Sequence, residues 1–338
     1  MSRAKTWMLY GATGYTGTLI AQRGLKCDHS PVLAGRSATA VTALAERLGL
    51  PHRVLSLEDP SAMRAALADV DLVLNAAGPF LHTATPLAEA CLSAGVDYLD
   101  ISNELQVFRA LYDLDEGARQ ADVSIIPGVG FGVVATNCLA RYVSEAVGGA
   151  EHLKVASRVA SEQPGPGAAA TMQENLPYGG WIRQGGQLCP QELFTGVTTI
   201  GFPDGPCEAM PVPTGDLEAA FHATGAPNLV AYAVSPPVLD ADASPNRDSV
   251  SSASRSFGWA SATGRDGSVA EAWLQTGDSY SFTPAASIRA VEETLKGTAP
   301  GALSPAAAFG PDFAFTIQDT TRIDAFRADA TLSASPGR

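Results

Sequence analysis

Residues 6–17 read TWMLYGATGYTG, and this stretch decides the fold that the rest of the sequence predicts. A short apolar run leads into a loop with Gly11, Gly14 and Gly17, and a helix-like segment follows it. In dinucleotide-binding folds, glycines at such spacings permit a tight turn, close approach of the backbone to a pyrophosphate, and close packing of helix on strand. The N-terminus of the next helix offers unpaired N–H groups and the positive end of its dipole. The stretch therefore predicts a phosphate-binding loop.

The pattern that follows supports a parallel sheet. From residue 6 to residue 127, short apolar runs alternate with amphipathic segments, as in an α/β protein built on a Rossmann-type parallel sheet. From residue 149 onwards the composition changes to more Thr, Ser, Gly and Pro, and apolar and polar residues alternate at 152–160 and 229–234. Such alternation predicts a mostly antiparallel sheet with one covered face.

This change of composition divides the chain into three predicted segments. We predict a Rossmann-type dinucleotide-binding domain at residues 1–148, an α+β substrate domain at 149–282, and a C-terminal helix and tail at 283–338. The closing helix is predicted to begin with Thr283 as its N-cap and Pro284 as its first residue, because these residue types favour those positions.

Composition and charge exclude several classes of protein. The chain of 338 residues is 46% hydrophobic and 17% charged, which indicates a globular protein large enough for two domains. A net charge of −13 argues against nucleic acid as a partner, since a phosphate backbone would be repelled. The five cysteines lie far apart, which indicates reduced thiols and neither a disulfide framework nor a metal site.

The ends and the apolar runs bear on location. The first predicted strand begins within a few residues of the N-terminus, so we expect no signal peptide. The longest run without Asp, Glu, Lys, Arg or His, residues 123–140, contains Pro127 and three glycines, and we expect a buried strand, a turn and a helix start there, with no integral membrane segment. These features predict a cytoplasmic protein.

The residues after the second strand indicate which nicotinamide cofactor is bound. NAD sites usually place an Asp or Glu there for the ribose hydroxyls, but this chain has Gly35, Arg36 and Ser37. An arginine can pair with a 2′-phosphate through a charge-assisted contact, so we predict NADP(H). The alternative is a solvated surface arginine. Residues 75–80, NAAGPF, follow the fourth strand, where small residues let the chain pass close to the cofactor; the alternative is a plain strand-to-helix turn.

Several stretches together resemble the NADP-binding domain of the saccharopine dehydrogenase-like reductases, including the trans-acting enoyl reductase branch. They are GATGYTG (11–17), AGRS (34–37), NAAGPF (75–80), VDYLDISNE (96–104), PGVGFGVVATN (127–137) and the closing segment 283–310. The resemblance implies a Rossmann fold, an NADP(H) cofactor and a C-terminal segment, residues 283–338, that packs back on the first domain. Because the family spans imine, conjugated alkene and unassigned chemistries, it does not imply one substrate. The chain departs from the family at Asn103, where a glycine is frequent, and it lacks an acidic residue after its Gly-Phe pair.

The candidate cofactor-binding residues lie in three loops. They are Gly11, Thr13, Gly14, Tyr15, Thr16, Gly17, Arg36, Ser37, Ala77, Gly78, Pro79 and Phe80.

The proton donor is less constrained by the sequence. No tyrosine is followed four residues later by lysine, which excludes the short-chain dehydrogenase arrangement. The candidate catalytic residues are Asp100 and Glu104, at the end of a strand on the cofactor side, and Tyr178. For the two carboxylates the alternative is helix capping or loop hydrogen bonding. Residues 171–187, which include Tyr178, are predicted to form a rim over the cleft, or else a loop with a packed tryptophan.

The sequence therefore predicts an NADPH-dependent reductase. It would transfer a hydride to a C=N bond or a conjugated C=C/C=O bond of a small metabolite. The alternative is a sensor or regulatory protein that binds NADP(H) without turnover. We expect a small-molecule substrate and consider a homodimer.

Overall fold

Two β-sheets, connected by one long helix, make up the described part of the chain. The computed structural model describes residues 5–160, 173–174, 176–193, 195–234 and 255–327. Within these residues, no helix is both long enough and apolar enough to cross a bilayer.

The first sheet is parallel and forms the N-terminal part of the structure. Its strands are β1 (Trp7–Tyr10), β2 (Val32–Gly35), β3 (His52–Val54), β4 (Leu72–Asn75), β5 (Asp97–Asp100), β6 (Ser124–Ile126) and, from the far end of the chain, β15 (Gly301–Ala302). In the described residues their order is β15-β6-β5-β4-β1-β2-β3. Strands β1, β2 and β4 are buried along their whole length, as expected where helices cover both faces of a sheet. The Rossmann-type fold predicted from the sequence is confirmed.

Local sequence sets the ends of the helices around this sheet. They are α1 (Tyr15–Lys26), α2 (Ala38–Leu48), α3 (Pro60–Leu67), α4 (Phe80–Ala94), α5 (Leu105–Tyr112), α6 (Asp115–Gln120) and α7 (Phe131–Ala146). Ser37 caps α2 by accepting a hydrogen bond from the N–H of Ala40, and Gly49 ends that helix in the left-handed conformation. Asp59 caps α3, where Pro60 takes the first helical position.

The second sheet is mixed and mostly antiparallel, as predicted. Its strands are β7 (Ala150–Arg158), β8 (Gly180–Gln184), β9 (Gln187–Gln191), β10 (Thr198–Phe202), β11 (Gly205–Pro211), β12 (Asn228–Val234), β13 (Ser256–Gly264), β14 (Val269–Thr276) and β16 (Thr321–Arg327). Over the described residues the main path is β10-β11-β12-β7-β13-β14-β16, with β8 and β9 attached to β12. Strands β7 and β12 run parallel, and the other pairs are antiparallel.

Helix α7 connects the two sheets and packs on the second one. It follows β6 directly, and its residues from Val133 to Ala140 are buried. A Cβ atom at Gly258 in β13 would lie 2.9 Å from the Cβ of Ala135, so the glycine permits the close approach of helix and strand. This packing fixes the central strands of the second sheet relative to the loops that follow β5 and β6.

The C-terminal segment divides between the two sheets. Helix α9 (Ser279–Lys296) packs along α1, where Ile288 approaches Gly24, and β15 extends the first sheet. After α10 (Pro305–Phe309) and a 3₁₀ turn (Phe313–Thr316), β16 pairs with β14 of the second sheet. The helix thus returns to the first sheet, whereas the last described strand does not. The boundaries at residues 148 and 282 remain a proposal.

The predicted start of the closing helix was wrong. Helix α9 begins at Ser279, and its N-cap is Asp278, whose carboxylate accepts a hydrogen bond from the N–H of Ser281 at 3.1 Å. Pro284 lies inside the helix. Thr283 instead stabilises the start of α7, where its hydroxyl oxygen accepts a hydrogen bond from the N–H of Phe131 at 3.1 Å.

A buried ion pair lies where α5 meets the helix α8 (Asp216–Thr224). Arg183 of β8 is 6% exposed, and its guanidinium lies 2.8 Å from a carboxylate oxygen of Glu218.

The ring of His222 stacks on that of Tyr112, with centroids 3.9 Å apart. Burial lowers the pKa of His222, the positive charge of Arg183 lowers it further, and Asp115 opposes this effect.

The lowered pKa of His222 predicts a loss of stability in mild acid. The folded state binds this proton less readily than the unfolded state, so stability is retained above the unfolded pKa of about 6.5 and is lost as the pH falls through and below it. In His222→Phe, which keeps an aromatic ring against Tyr112, we expect the free energy of unfolding to fall less between neutral and mildly acidic pH. Urea unfolding across that range measures the difference, and Tyr112→Phe is the control that keeps the histidine. Equal pH profiles for wild type and His222→Phe would contradict the assignment.

Candidate active site

The glycine loop lies where β1, β2 and β4 end. Gly11 has φ of +79°, and a Cβ atom there would lie 2.6 Å from the backbone nitrogen of Ala77. The N–H groups of Gly11 and Ala12 both donate to the carbonyl of Ala34, at 2.9 and 3.2 Å. At Gly17 a Cβ atom would lie 2.2 Å from the carbonyl oxygen of Gly11, so α1 packs directly against the loop. Two of the three glycines are therefore required by close backbone contacts.

The exposed part of the same loop forms the start of α1. Thr13, Gly14 and Tyr15 are exposed, and Thr16 is half-buried. Gly14 is the N-cap of this 12-residue helix, and no side chain caps it. The N-terminal N–H groups and the positive end of the helix dipole therefore face the open edge of the sheet. This cradle, whose backbone a Cβ at Gly11 or Gly17 would displace, fits the pyrophosphate of a dinucleotide.

Arg36 and Ser37 follow β2 beside this loop. Both side chains are exposed, and Ser37 is the N-cap of α2. Burial raises the pKa of Tyr10 at the end of β1, and the positive charge of Arg36 opposes that rise. Arg36 follows β2, and its charge also affects Tyr10 at the carboxyl end of β1. In this fold class the adenosine half of a dinucleotide lies at this end of the strands.

The loop after β4 is fixed by a buried asparagine. The side-chain oxygen of Asn75 accepts a hydrogen bond from the N–H of Ala77 at 2.9 Å, and its NH₂ donates to Tyr98 at 3.1 Å. Thr83 donates to the carbonyl of Ala77 at 2.6 Å. Ala77 and Pro79 are half-buried and Gly78 is exposed, whereas the Phe80 side chain lies in the core. Of the four predicted residues in this loop, Phe80 is placed to offer only its backbone.

Asp100 is enclosed at the end of β5. It has no exposed surface, and its carboxylate accepts hydrogen bonds from the N–H and hydroxyl of Ser102 (2.9 and 2.6 Å), the N–H of Gly128 (3.0 Å) and the hydroxyl of Tyr98 (3.0 Å). Burial raises the pKa of Asp100, and these hydrogen bonds oppose the rise. The geometry favours the alternative role, in which Asp100 ties the loops after β5 and β6 together.

Glu104 occupies a similar position and is 2% exposed. Its carboxylate accepts hydrogen bonds from the N–H of Asn103 at 2.8 Å and the N–H of Phe80 at 3.4 Å. Burial raises the pKa of Glu104. The carboxylate thus bridges the loops after β4 and β5, which again favours loop hydrogen bonding over a catalytic role.

Tyr178 is exposed, unlike both carboxylates. It ends a 3₁₀ turn, Leu176–Tyr178, and is 48% exposed. Its carbonyl oxygen accepts a hydrogen bond from the indole N–H of Trp181 at 2.8 Å. Nearby, Glu174 lies 3.1 Å from His82 in the first turn of α4, directly after the loop at 75–80. This contact supports the predicted rim, although residues 171, 172 and 175 of that stretch lie outside the described residues.

A match to a known family decides what this geometry binds. Residues 7–126 match the family described as "Saccharopine dehydrogenase NADP binding domain". This part of the chain is therefore similar to saccharopine dehydrogenase-type NADP-binding domains. The resemblance inferred from the sequence and the choice of NADP(H) as cofactor are thereby confirmed. Which individual residues contact the cofactor remains a prediction.

Relatives and solved structures extend the comparison. Trans-acting enoyl reductases of Mycobacterium ulcerans and Mycobacterium tuberculosis are each 34% identical to this chain over 125 residues, which is 33% of this chain and 30% of each relative. The matched region therefore spans less than a third of those relatives. The structure of a saccharopine dehydrogenase (L-Glu forming) from Saccharomyces cerevisiae superposes with a TM-score of 0.63 at 12% identity, covering 95% of this chain and 100% of that one. This likeness shows the fold.

Sequence reasoning missed another buried carboxylate, in addition to Asp100 and Glu104. Asp216, at the start of α8, hydrogen-bonds with the hydroxyls of Thr136 and Thr214 and with the side chain of Asn103. Burial raises the pKa of Asp216. The cluster connects α7, α8 and the loop after β5. The one sequence signal for this cluster was Asn103, which stands where related sequences frequently have glycine. Its hydrogen-bond partner, Asp216, lies more than a hundred residues away in the sequence.

Metal chemistry has no candidate site in the part of the chain that the structure describes. None of its groups of His, Cys, Asp and Glu side chains has three or more members placed to hold an ion.

Proposed function

We propose that this protein is an NADPH-dependent reductase that transfers a hydride to a C=N bond or a conjugated C=C/C=O bond of a small metabolite. The observation that carries the proposal is the cradle at the carboxyl edge of the first sheet, where Gly11 and Gly17 admit no side chain and the start of α1 is uncapped. The relatives named trans-acting enoyl reductases share this part of the chain, which supports reduction as the reaction.

The residues of this chain would bind and orient the cofactor. The N-terminus of α1 holds the pyrophosphate, Arg36 pairs with the 2′-phosphate, and the loop fixed by Asn75 passes close to the nicotinamide ribose. The nicotinamide, when bound, supplies the hydride. The protein then has to orient the acceptor and exclude water from it.

The two bond types differ in their need for a proton donor. Asp100 and Glu104 are enclosed and engaged by backbone N–H groups, so neither is presented to a substrate in this conformation. A protonated imine needs little help from an acid, whereas an enoyl substrate needs its carbonyl oxygen polarised. Tyr178 is the exposed candidate for that second task.

One observation favours the second candidate function. The enclosure of both carboxylates is also what a protein that binds NADP(H) without turnover would show. Such a sensor needs the cradle and Arg36 but no proton donor.

Turnover distinguishes the two functions. We expect the purified protein to oxidise NADPH in the presence of at least one member of a panel of cyclic imines, enones and enoyl thioesters, followed by the loss of reduced-nicotinamide absorbance. Tyr178→Phe should slow enone or enoyl reduction and leave imine reduction unchanged, since only the first requires an acid. Tight NADPH binding without turnover on any panel member would favour the sensor. A lack of NADPH binding would contradict both functions.

Location in the cytoplasm and assembly into a homodimer remain predictions from the sequence.

A further inference from the structure

The first turn of α9 lies beside the start of α1, although the two are separated by most of the chain. Tyr280 is the second residue of α9, and Tyr15 is the first residue of α1. Their rings meet edge to face, with centroids 5.1 Å apart and planes at 85°. Tyr15 is 62% exposed, more than any other large apolar or aromatic side chain in the described residues. The contact therefore orients a side chain that otherwise projects into solvent.

The same turn is anchored to the start of α7. Phe282 is 2% exposed and packs edge to face on Phe131, with centroids 5.5 Å apart. Thr283 accepts a hydrogen bond from the N–H of Phe131 at 3.1 Å. Because Asp278 also caps the turn, its backbone is held from both sides. Tyr280 thus projects from a rigid support that does not belong to the glycine loop.

The position of this turn relates it to the two halves of the cofactor. Helix α1 starts after β1, where the pyrophosphate lies in this fold class, and α7 starts after β6, on the opposite side of the switch point. A group fixed to the start of α7 and touching the start of α1 spans the cleft mouth between them. Edge-to-face aromatic contacts prefer a defined geometry, so they restrict the rotamers of both rings.

We propose that Tyr280 is a cofactor-positioning residue, which holds Tyr15 so that the two rings wall the pyrophosphate and nicotinamide-ribose part of bound NADP(H). The inference rests on the proposed NADP(H)-binding function of the site. It adds a residue of α9 to a cofactor site whose other candidate residues lie between positions 11 and 80. Because the two rings are proposed to wall a part of the cofactor that NADPH and NADH share, they support the binding of both equally.

The test measures dissociation constants for NADPH and NADH by calorimetry in the full chain. In Tyr280→Ala we expect both to weaken by about fivefold, the effect of one aromatic pair, with their ratio unchanged. Tyr280→Phe keeps the ring and should bind within about twofold of wild type. The double variant Tyr15→Ala/Tyr280→Ala should bind no more weakly than Tyr15→Ala, because Tyr280 acts through Tyr15.

Three results would overturn the inference: unchanged affinity in Tyr280→Ala, affinity in Tyr280→Phe as low as in the alanine variant, or losses that multiply in the double variant. If Tyr280→Ala does not fold, Tyr280→Leu replaces it, since leucine keeps apolar bulk without the ring. Thermal unfolding without cofactor reports on the fold separately. Failure of wild type itself to bind NADPH would contradict the proposed function, whereas failure confined to the Tyr280 variants would contradict only the positioning role.

Discussion

Gly17→Ala is expected to lower the free energy of unfolding by about 3 kcal/mol and to weaken NADPH binding by at least about tenfold. The new Cβ would lie 2.2 Å from the carbonyl oxygen of Gly11 and 3.0 Å from the Cα of Ala12, whereas ordinary contact begins at 3.4 Å. Both neighbours are backbone, so no side chain can rotate away. The start of α1 has to move relative to the loop, and the N–H groups that face the phosphates move with it.

Gly24→Ala in the same helix is the matched control. Gly24 is also buried, but a Cβ there would meet only side-chain atoms, the nearest 3.5 Å away on Ile288. Alanine is favoured over glycine inside a helix by about 1 kcal/mol, so this variant should be as stable as wild type or more stable. Urea unfolding and calorimetric titration with NADPH compare the two variants. Similar behaviour of Gly17→Ala and Gly24→Ala would show that the close approach at the loop is not required.

The first sheet was predictable because its signals are local. Short apolar runs, the glycine spacing and the missing carboxylate at Arg36 each lie within a few residues, and together they predicted the Rossmann-type sheet and its cofactor. The alternation of apolar and polar residues in the second half likewise predicted a mostly antiparallel sheet. The sequences of β7 and β12 gave no signal that these two strands pair in parallel.

The start of α9 was not predictable, because two nearby residues satisfy the same rule. Asp278 and Thr283 both belong to the types favoured at an N-cap, and Pro284 fits a first helical position as well as it fits the observed interior one. What separates them is a tertiary contact, the hydrogen bond from Phe131 to Thr283, between residues 152 positions apart. Such a partner cannot be read from propensity.

The role of Asp100 shows the same limit at the site. Its position at the end of a strand on the cofactor side made it a candidate acid, and the hydrogen bonds from Ser102 follow from a spacing of two residues. The donor on Gly128 comes from the loop after another strand, and it completes the enclosure of the carboxylate. The sequence places a carboxylate at an edge, whereas access to it depends on the loops that meet there.

Arg36→Ala is expected to weaken NADPH binding by roughly tenfold to a hundredfold and NADH binding by less than about twofold. A hydrogen bond to a charged partner contributes about 1.5–3 kcal/mol, and 1.4 kcal/mol corresponds to a factor of about ten. Only NADPH carries the 2′-phosphate, and no Asp or Glu stands at positions 35–37 to bind the ribose hydroxyls of NADH instead. Because Arg36 is exposed, the preference for NADPH should shrink as salt is added.

Arg47→Ala separates this local contact from the general effect of charge. Arg47 is an exposed arginine in the last turn of α2, so its removal changes the net charge of the chain by the same amount at the far end of the helix that Ser37 caps. Calorimetric titration of both variants with NADPH and NADH should show the loss in Arg36→Ala alone. If Arg36→Ala weakens the binding of both cofactors equally, Arg36 does not bind the 2′-phosphate, and NADP(H) selection resides elsewhere. If Arg47→Ala reproduces the selective loss, the net charge of the chain governs the affinity for NADPH, and the position of Arg36 does not.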